Sequence, residues 1–558
     1  MPLKQSLNRI RWRLRATRRI WRPGGAPELS AQAGDIPLGQ LDAPIAYSTL
    51  RGSVAVRGWA MFPSGPAARV EVQLGERSLG RARLGLARPD IEALTGTPSG
   101  AVSGFELNAD LSDYVGPDEA VALRATATGM EGERLELGPV KVRVSEAAEP
   151  QRPRPERART STTTESTGDG RRRVLVFTHQ LDAGGAQTFL VQLVRGLLDR
   201  DAVEPTVVSA LNGPLREDFE RLGVTVHSGI GSPIDDLDSH LDRVEELTAW
   251  AAGQGFEAVL VNTASPLASP GAEVAERLRI PAIWAIHESF SPAVLWADLD
   301  PGVRALSEAA LANAAFAVFE AEATQRLYEE AVGAERCLTL PYGLDLEPID
   351  PERAGFDRER ARRDAGLPAD AEVVLCVGSI EPRKAQVSLA HAFDLVAERH
   401  PHAQLVFVGA RENSNSRLLA EWTDSLRAAE RIRLVPVTPD VGAWYGLSDL
   451  LVCASDIESL PRTVLEAMAW ELPVLATAVF GLPELIADGE TGWLCPDRDV
   501  ERLAAALDRV LSVAPDERRS VGRNGRKRVE ARHALNDYCS GVIRLLDQAV
   551  DDTRRSKP

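Results

Sequence analysis

The chain has 558 residues, 44% of them hydrophobic and 26% charged, with a formal net charge of −17. That length is too great for a single core and predicts about three domains, and the acidic balance excludes a general nucleic-acid binder. Five scattered cysteines, Cys337, Cys376, Cys453, Cys495 and Cys539, form no C-x-x-C pair, which excludes a disulfide framework and fits a reducing cytoplasm.

The first element, within residues 1–30, is strongly basic. Residues 1–22 hold Lys4, Arg9, Arg11, Arg13, Arg15, Arg18, Arg19 and Arg22 with no acid. Leu3, Leu7, Ile10, Leu14 and Trp21 recur among them at helical spacing, the pattern of a basic amphipathic helix that anchors at a membrane surface; a solvated tail and a protein-binding segment are the alternative readings. There is no apolar run of the ~20 residues a membrane span needs, and no signal-peptide cleavage pattern. The expected location is therefore cytoplasmic, with any membrane contact peripheral.

Residues 36–145 change to short alternating runs, SVAVRGWAM, ARVEVQLG, SGFELNADL, AVALRATAT and GPVKVRV, broken by Gly, Pro and Asp turns. Five to seven such strands predict a small antiparallel β-sandwich. It holds no catalytic cluster, so a carbohydrate-binding, docking or spacer role stays open. Residues 146–172, rich in Pro, Arg, Ser and Thr, read as a linker. No repeat of 20–50 residues is found.

Beyond that linker, continuous Val/Leu/Ala runs alternate with helical stretches. RVLVF, PTVVSAL, AVLVN, AIWAI, FAVFE and CLTLP fall within 173–345; VVLCVG, QLVFVG, IRLVPV, LLVCA and PVLATA fall within 371–520. Strands of this kind are buried on both faces, so each series predicts a doubly wound parallel sheet. A charged connector at 346–370 joins them, and 521–558 is expected to be a C-terminal helix and tail.

Ligands of doubly wound sheets bind beyond the carboxyl ends of the strands, so polar residues there are the candidates. Gly184 and Gly185 stand in the first strand-to-helix loop, where glycine lets a backbone approach a ligand and a helix N-terminus favours negative charge. His287 directly follows PAIWAI, and His179 is a weaker candidate of the same kind. In the second half, GSIEPRK places Arg383 and Lys384 in the first loop, where two cations suit a diphosphate. In SDIESLPRTVLEAMA, a buried strand leads through Glu458, Ser459, Leu460 and Pro461 into a helix containing Glu466. Ser459 is placed to cap that helix, and Pro461 suits its first turn. Two carboxylates in that context accept paired hydroxyls of a sugar and of a ribose.

From Arg173 to Tyr538 the chain resembles the retaining glycosyltransferases of family four, which have two facing Rossmann-like domains (the GT-B architecture). The matching pieces are GGAQ, His287, PYGLD, GSIEPRK, ESLPRTVLEAMA with its E-x7-E pair, GLPELIADGETGWL, and a terminal stretch similar to the family's returning helix. The resemblance implies that Lys384 and Arg383 hold the diphosphate of a nucleotide-sugar donor and that Glu466 holds the ribose. It implies that Glu458, with the backbone of Ser459 and Leu460, holds the transferred sugar. Gly184 and Gly185 would approach from across the cleft, with His287 beside the reacting sugar. His287 and Glu458 are thus the expected catalytic residues, although no covalent nucleophile is identified. Many relatives carry an arginine where this chain has Ser379, and Arg383 stands close enough to replace its charge.

The resemblance implies transfer with retention and no metal or other cofactor. Two D-x-D matches, Asp236–Asp238 and Asp298–Asp300, are the short kind that chance supplies in an acidic chain. The expected acceptor is a glycan, a lipid-linked glycan or another cell-envelope molecule. The alternatives are a sugar phosphorylase or nucleotide-sugar epimerase on the same architecture, or a non-catalytic glycan-binding scaffold.

Overall fold

A computed structural model describes residues 38–43, 49–50, 53–63, 65–86, 102–111, 121–144, 171–182, 184–231, 236–296, 299–495 and 499–556. The basic N-terminal segment lies outside the described residues, as does the expected linker except for its last two positions.

The first module is a β-sandwich. Its strands are β1 (Leu38–Ala43), β2 (Thr49–Leu50), β3 (Ser53–Phe62), β4 (Gly65–Pro66), β5 (Arg69–Leu74), β6 (Arg77–Arg81), β7 (Arg83–Leu86), β8 (Gly104–Asp110), β9 (Val121–Thr128) and β10 (Arg134–Val144). One sheet runs β1-β3-β8-β7 with β4 paired to β3, and the other runs β2-β10-β9-β5-β6. Pairing is antiparallel except between β10 and β2. The alternation read in the sequence has its physical basis here. Val70, Val72 and Leu74 of β5 and Leu123, Ala125 and Ala127 of β9 all point inward and are fully buried, while the residues between them face out. The strand count differs from the expectation of five to seven. The additional strands are short, such as the two residues of β2 and of β4, and lack a run long enough to show alternation.

The second module holds β11 (Arg172–Thr178), β12 (Val203–Ser209), β13 (Thr225–Ser228), β14 (Ala258–Asn262), β15 (Ala282–Ile286), β16 (Phe316–Phe319) and β17 (Cys337–Thr339). They form one parallel sheet in the order β13-β12-β11-β14-β15-β16-β17. The third module repeats the plan with β18 (Glu372–Val377), β19 (Ala403–Ala410), β20 (Ile432–Pro436), β21 (Leu450–Cys453), β22 (Val474–Thr477) and β23 (Trp493–Cys495), in the order β20-β19-β18-β21-β22-β23. β14, β15, β16, β21 and β22 are buried at every position, as helix-covered parallel strands must be. Together the sandwich and two doubly wound sheets form the predicted fold class. Strand order reverses between β11 and β14 in one sheet and between β18 and β21 in the other. Each reversal opens a crevice at the carboxyl ends of its strands.

The terminal stretch is two helices. Pro515–Arg532 belongs to the third module, where Gly522 packs so closely that an added Cβ would lie 2.1 Å from the Glu471 carbonyl. The chain then crosses at His533–Ala534, and Leu535–Ser556 packs on the second module, with Tyr538 edge-on to Phe189 at 4.8 Å. The crossing lies beside the outgoing connection: Leu344 N donates to the His533 carbonyl at 2.8 Å.

The sandwich touches both other modules. Arg81 reaches Asp499 of the third module at 3.1 Å, β7 packs against the loop Pro382–Lys384, and β3 meets the helical turn Pro292–Leu295 of the second module.

Candidate active site

The two crevices face each other, and the site is built from the loops that leave them. On the second module, β11 runs through His179 to Gly184 and helix α1 (Gly185–Leu198). A Cβ added to Gly185 would meet no atom within 4 Å, so no contact within the protein requires glycine there. His179 Nδ1 lies 2.9 Å from the Thr263 hydroxyl, and Gln187 covers its ring. Burial, with the charge of His287 adding, lowers the His179 pKa to about 4. It is a neutral imidazole at physiological pH.

His287 follows β15, the fifth strand of its module; AIWAI is only the fourth apolar run in the sequence because the short β13, TVHS, is not visible as one. Its side chain is 6% exposed. Nδ1 faces the Glu320 carboxylate and the Tyr342 hydroxyl, the latter at 2.6 Å, while Nε2–H donates to Asn262 Oδ1 at 2.8 Å. Burial pulls the His287 pKa down, but the charge and hydrogen bond of Glu320 outweigh it, and the net direction is up. The adjacent Glu288 carboxyl is raised by burial, although Ala264 N–H donates to it at 2.8 Å.

On the third module, Glu458 is the hub. Lys384 Nζ makes a close ion pair with its Oε2, Arg383 lies 3.6 Å from the same oxygen, and Ser455 Oγ donates to it at 3.1 Å. Burial disfavours the carboxylate, yet Lys384 and Arg383 hold its pKa below the ordinary range. Arg383 also pairs with Glu381 at 2.9 Å, and Ser379 Oγ donates to Glu381 at 2.6 Å. Both cations therefore converge on one carboxylate, in the loop that also holds Ser379.

Glu466 lies on helix α2 (Arg462–Ala469), where it accepts from Tyr445 at 2.9 Å and from Arg462 at 3.2 Å. Arg462 also donates to Gln192 of α1 at 2.8 Å and lies over Phe189, tying the two modules together. One expectation is corrected here. Ser459 does not cap α2, whose N-cap is Pro461 with no side-chain hydrogen bond. The chain extends through Ser459 and Leu460 before the helix starts, so the Ser459 hydroxyl points across the cleft. It donates to Glu320 at 3.0 Å and receives the Thr324 hydroxyl at 3.1 Å.

The structure thus brings His287 together with Ser459 through Glu320, and groups Lys384, Arg383 and Glu458. Leu460 is buried behind the turn, and Glu466 stands two turns of chain further on. Glu320, Tyr342, Asn262 and Arg462 were not singled out. Glu320 had the same signal as His287, a polar residue ending a buried strand, FAVFE. Tyr342 lay inside the PYGLD motif. Both D-x-D matches have structural work: Asp236 caps the helix Leu237–Ala252 and Asp300 caps Pro301–Ala312, each accepting backbone N–H groups.

The geometry is that of a two-Rossmann transferase with a polar cleft between modules. Residues 183–348 match the sequence model described as Glycosyltransferase Family 4, and residues 357–528 match that of Glycosyl transferases group 1. A D-inositol 3-phosphate glycosyltransferase of Thermomonospora curvata is 30% identical over 359 residues, covering 59% of this chain and 83% of that protein. D-inositol 3-phosphate glycosyltransferase 2 of Catenulispora acidiphila is 28% identical over 401 residues, 67% of this chain and 92% of the relative. The chain belongs to family four of the glycosyltransferases and is a glycosyltransferase of GT-B architecture.

Among solved structures, Anabaena HepE in complex with UDP-glucose aligns with a TM-score of 0.58 at 19% identity, covering 67% of this chain and 99% of that one. WaaG, a glycosyltransferase involved in lipopolysaccharide biosynthesis, aligns at 0.52 and 16% identity, with 67% and 99% covered. These alignments carry the fold. Among the described residues, no helix is long and apolar enough to cross a membrane.

Proposed function

We propose that the protein transfers a sugar from a nucleotide-diphosphate sugar to a glycan, lipid-linked or other cell-envelope acceptor, with retention and without a metal. The observation that carries this reading is the convergence of Lys384 and Arg383 on Glu458 at the carboxyl edge of the third-module sheet, opposite His287. A diphosphate carries the charge that these two cations match, and its arrival frees the Glu458 carboxylate to accept sugar hydroxyls. Glu466, fixed by Tyr445 and Arg462, faces the same crevice and suits the ribose diol. As the donor bond breaks, Lys384 and Arg383 offset the charge growing on the departing nucleoside diphosphate. His287, held by Glu320 and Asn262, lies across the cleft at the sugar. The HepE complex with UDP-glucose makes a uridine nucleotide donor the first to test.

The test is turnover and binding of a nucleotide-sugar panel, beginning with UDP-glucose. Lys384→Ala and Glu466→Ala are each expected to weaken donor affinity or turnover by ~10–100-fold, the loss of one or two charged hydrogen bonds. Wild-type behaviour of both variants would sink the site. Activity should survive EDTA, and the product should keep the anomeric configuration of the donor by NMR. The basic segment 1–22 is assigned to an anionic membrane surface. Co-sedimentation with anionic liposomes at low salt, lost in a chain starting at Gly34, is the expected result.

A further inference from the structure

Outside the cleft, a pocket of about 730 Å³ opens where the three modules meet. Glu71, Ser78, Arg81 and Asn108 of the sandwich form one wall; Ala323 of the second module and Phe480 of the third stand on the other. Its size is that of ordinary small-ligand sites. The two walls differ in chemistry. The sandwich wall offers a carboxylate, an amide and a hydroxyl, with Ser78 and Asn108 exposed. The opposite wall is apolar, with a partly exposed aromatic ring.

The pocket stands next to the transfer site. Ala323 precedes Thr324, whose hydroxyl donates to Ser459. Phe480 precedes Gly481, where an added Cβ would lie 2.1 Å from the Ser459 carbonyl. The Phe480 backbone sits at φ 44°, a left-handed conformation costly for an aromatic residue, and it holds the ring at this position. Glu484, next to the lining residue Pro483, ties the second and third modules together by accepting the backbone N–H groups of Glu322 and Ala323 at 2.9 and 2.8 Å. The charge of Arg81 is met by Asp499 at 3.1 Å and Glu71 at 3.3 Å, so the wall holds no surplus cation for a phosphate.

We propose that this pocket is a saccharide subsite, supplied by the β-sandwich, that holds a neutral acceptor glycan beside the donor site. A sugar ring has hydroxyls around its rim and an apolar C–H face. The first match Glu71, Asn108 and Ser78, and the second matches Phe480. The inference rests on the transferase reading above, since it places the acceptor next to the turn that would hold the transferred sugar.

The experiment is an array of neutral oligosaccharides, linear glucans, mannans and galactans of two to four units, probed with the full chain. Asn108→Trp and Ser78→Trp fill the pocket from two exposed positions, and UDP-glucose affinity is measured in parallel. The expected result is retention of at least one glycan class by the wild type. Both variants should retain it at least tenfold less, with UDP-glucose affinity held. Undiminished glycan retention by both variants, or no neutral glycan retained by a wild type that binds UDP-glucose, would overturn the subsite. Failure of the wild type to bind any member of the nucleotide-sugar panel would overturn the donor reading instead, whereas glycan retention and its loss in the two variants are read from the array alone.

Discussion

Glu320 links the two halves of the cleft through a single carboxylate, one oxygen toward His287 and the other accepting from Ser459. Removing its charge takes away the first and larger of the two carboxylates that oppose burial at His287, leaving only the charge of Glu288 against a burial that lowers an imidazole pKa. Glu320→Gln should therefore shift any limb of the rate–pH profile that follows the His287 imidazolium to lower pH, and reduce turnover by about tenfold. The measurement is kcat from pH 5 to 9, and an unmoved profile would separate Glu320 from the reaction. The linkage sign is distinct. A raised histidine stabilises the fold fully below its unfolded value and loses that contribution as pH rises through the folded one. His287 itself was legible because a polar residue interrupts an apolar run at a strand end. Glu320 ends a strand in the same way, but that it partners His287 was not legible, since Asn262, Glu320 and Tyr342 leave three different strands and meet only once the sheet forms.

At the scale of elements, two loops govern the cleft, and their glycines make opposite predictions. Gly185→Ala adds a Cβ that meets no protein atom, so Tm should hold. Donor affinity should fall if the donor backbone passes there. Gly481→Ala drives a Cβ to 2.1 Å from the Ser459 carbonyl and 2.7 Å from the Ala321 Cβ. That overpacking costs ~1–3 kcal/mol and displaces the turn, so Tm and donor affinity should fall together. Differential scanning calorimetry with donor titration of both variants separates the cases. Gly185→Ala losing Tm, or Gly481→Ala losing neither, would contradict them. The long buried strands such as β11 and β19 were legible as continuous apolar runs. The edge strands β13 and β23, four and three residues long, were not, because pairing rather than burial defines them. The Ser459 cap was misread for a related reason. Local capping chemistry favours a serine there, but the distant Glu320 and Thr324 offered better partners.

For the whole molecule, the histidines predict acid sensitivity. Burial lowers His179 and His391 to about 4 and His533 in the same direction, against an ordinary value of 6.5. The unfolded chain then binds protons that the folded one refuses, and stability falls as pH drops from about 6.5 toward 4. Each histidine contributes a slope of up to ~1.4 kcal/mol per pH unit. Tm should decline steeply over that window, and His391→Gln should flatten the decline; an unchanged slope would remove His391 from the account. A different consequence follows from the crossing at His533–Ala534. The third module begins and ends beside one point of the second, so it is an insertion within it. During synthesis the third module is complete before Leu535–Ser556 leaves the ribosome. The second module, made earlier, still lacks the helix that covers Phe189 and carries Cys539 to within 2.6 Å of where a Gly196 Cβ would stand. Its apolar flank stays open for as long as the third module takes to be made. A chain stopped after Ala534 should keep a cooperatively folded third module while its second module exposes that flank, detectable as ANS binding and early hydrogen exchange confined to β11–β17. The order in which the halves become stable is thus the reverse of the order in which they are translated.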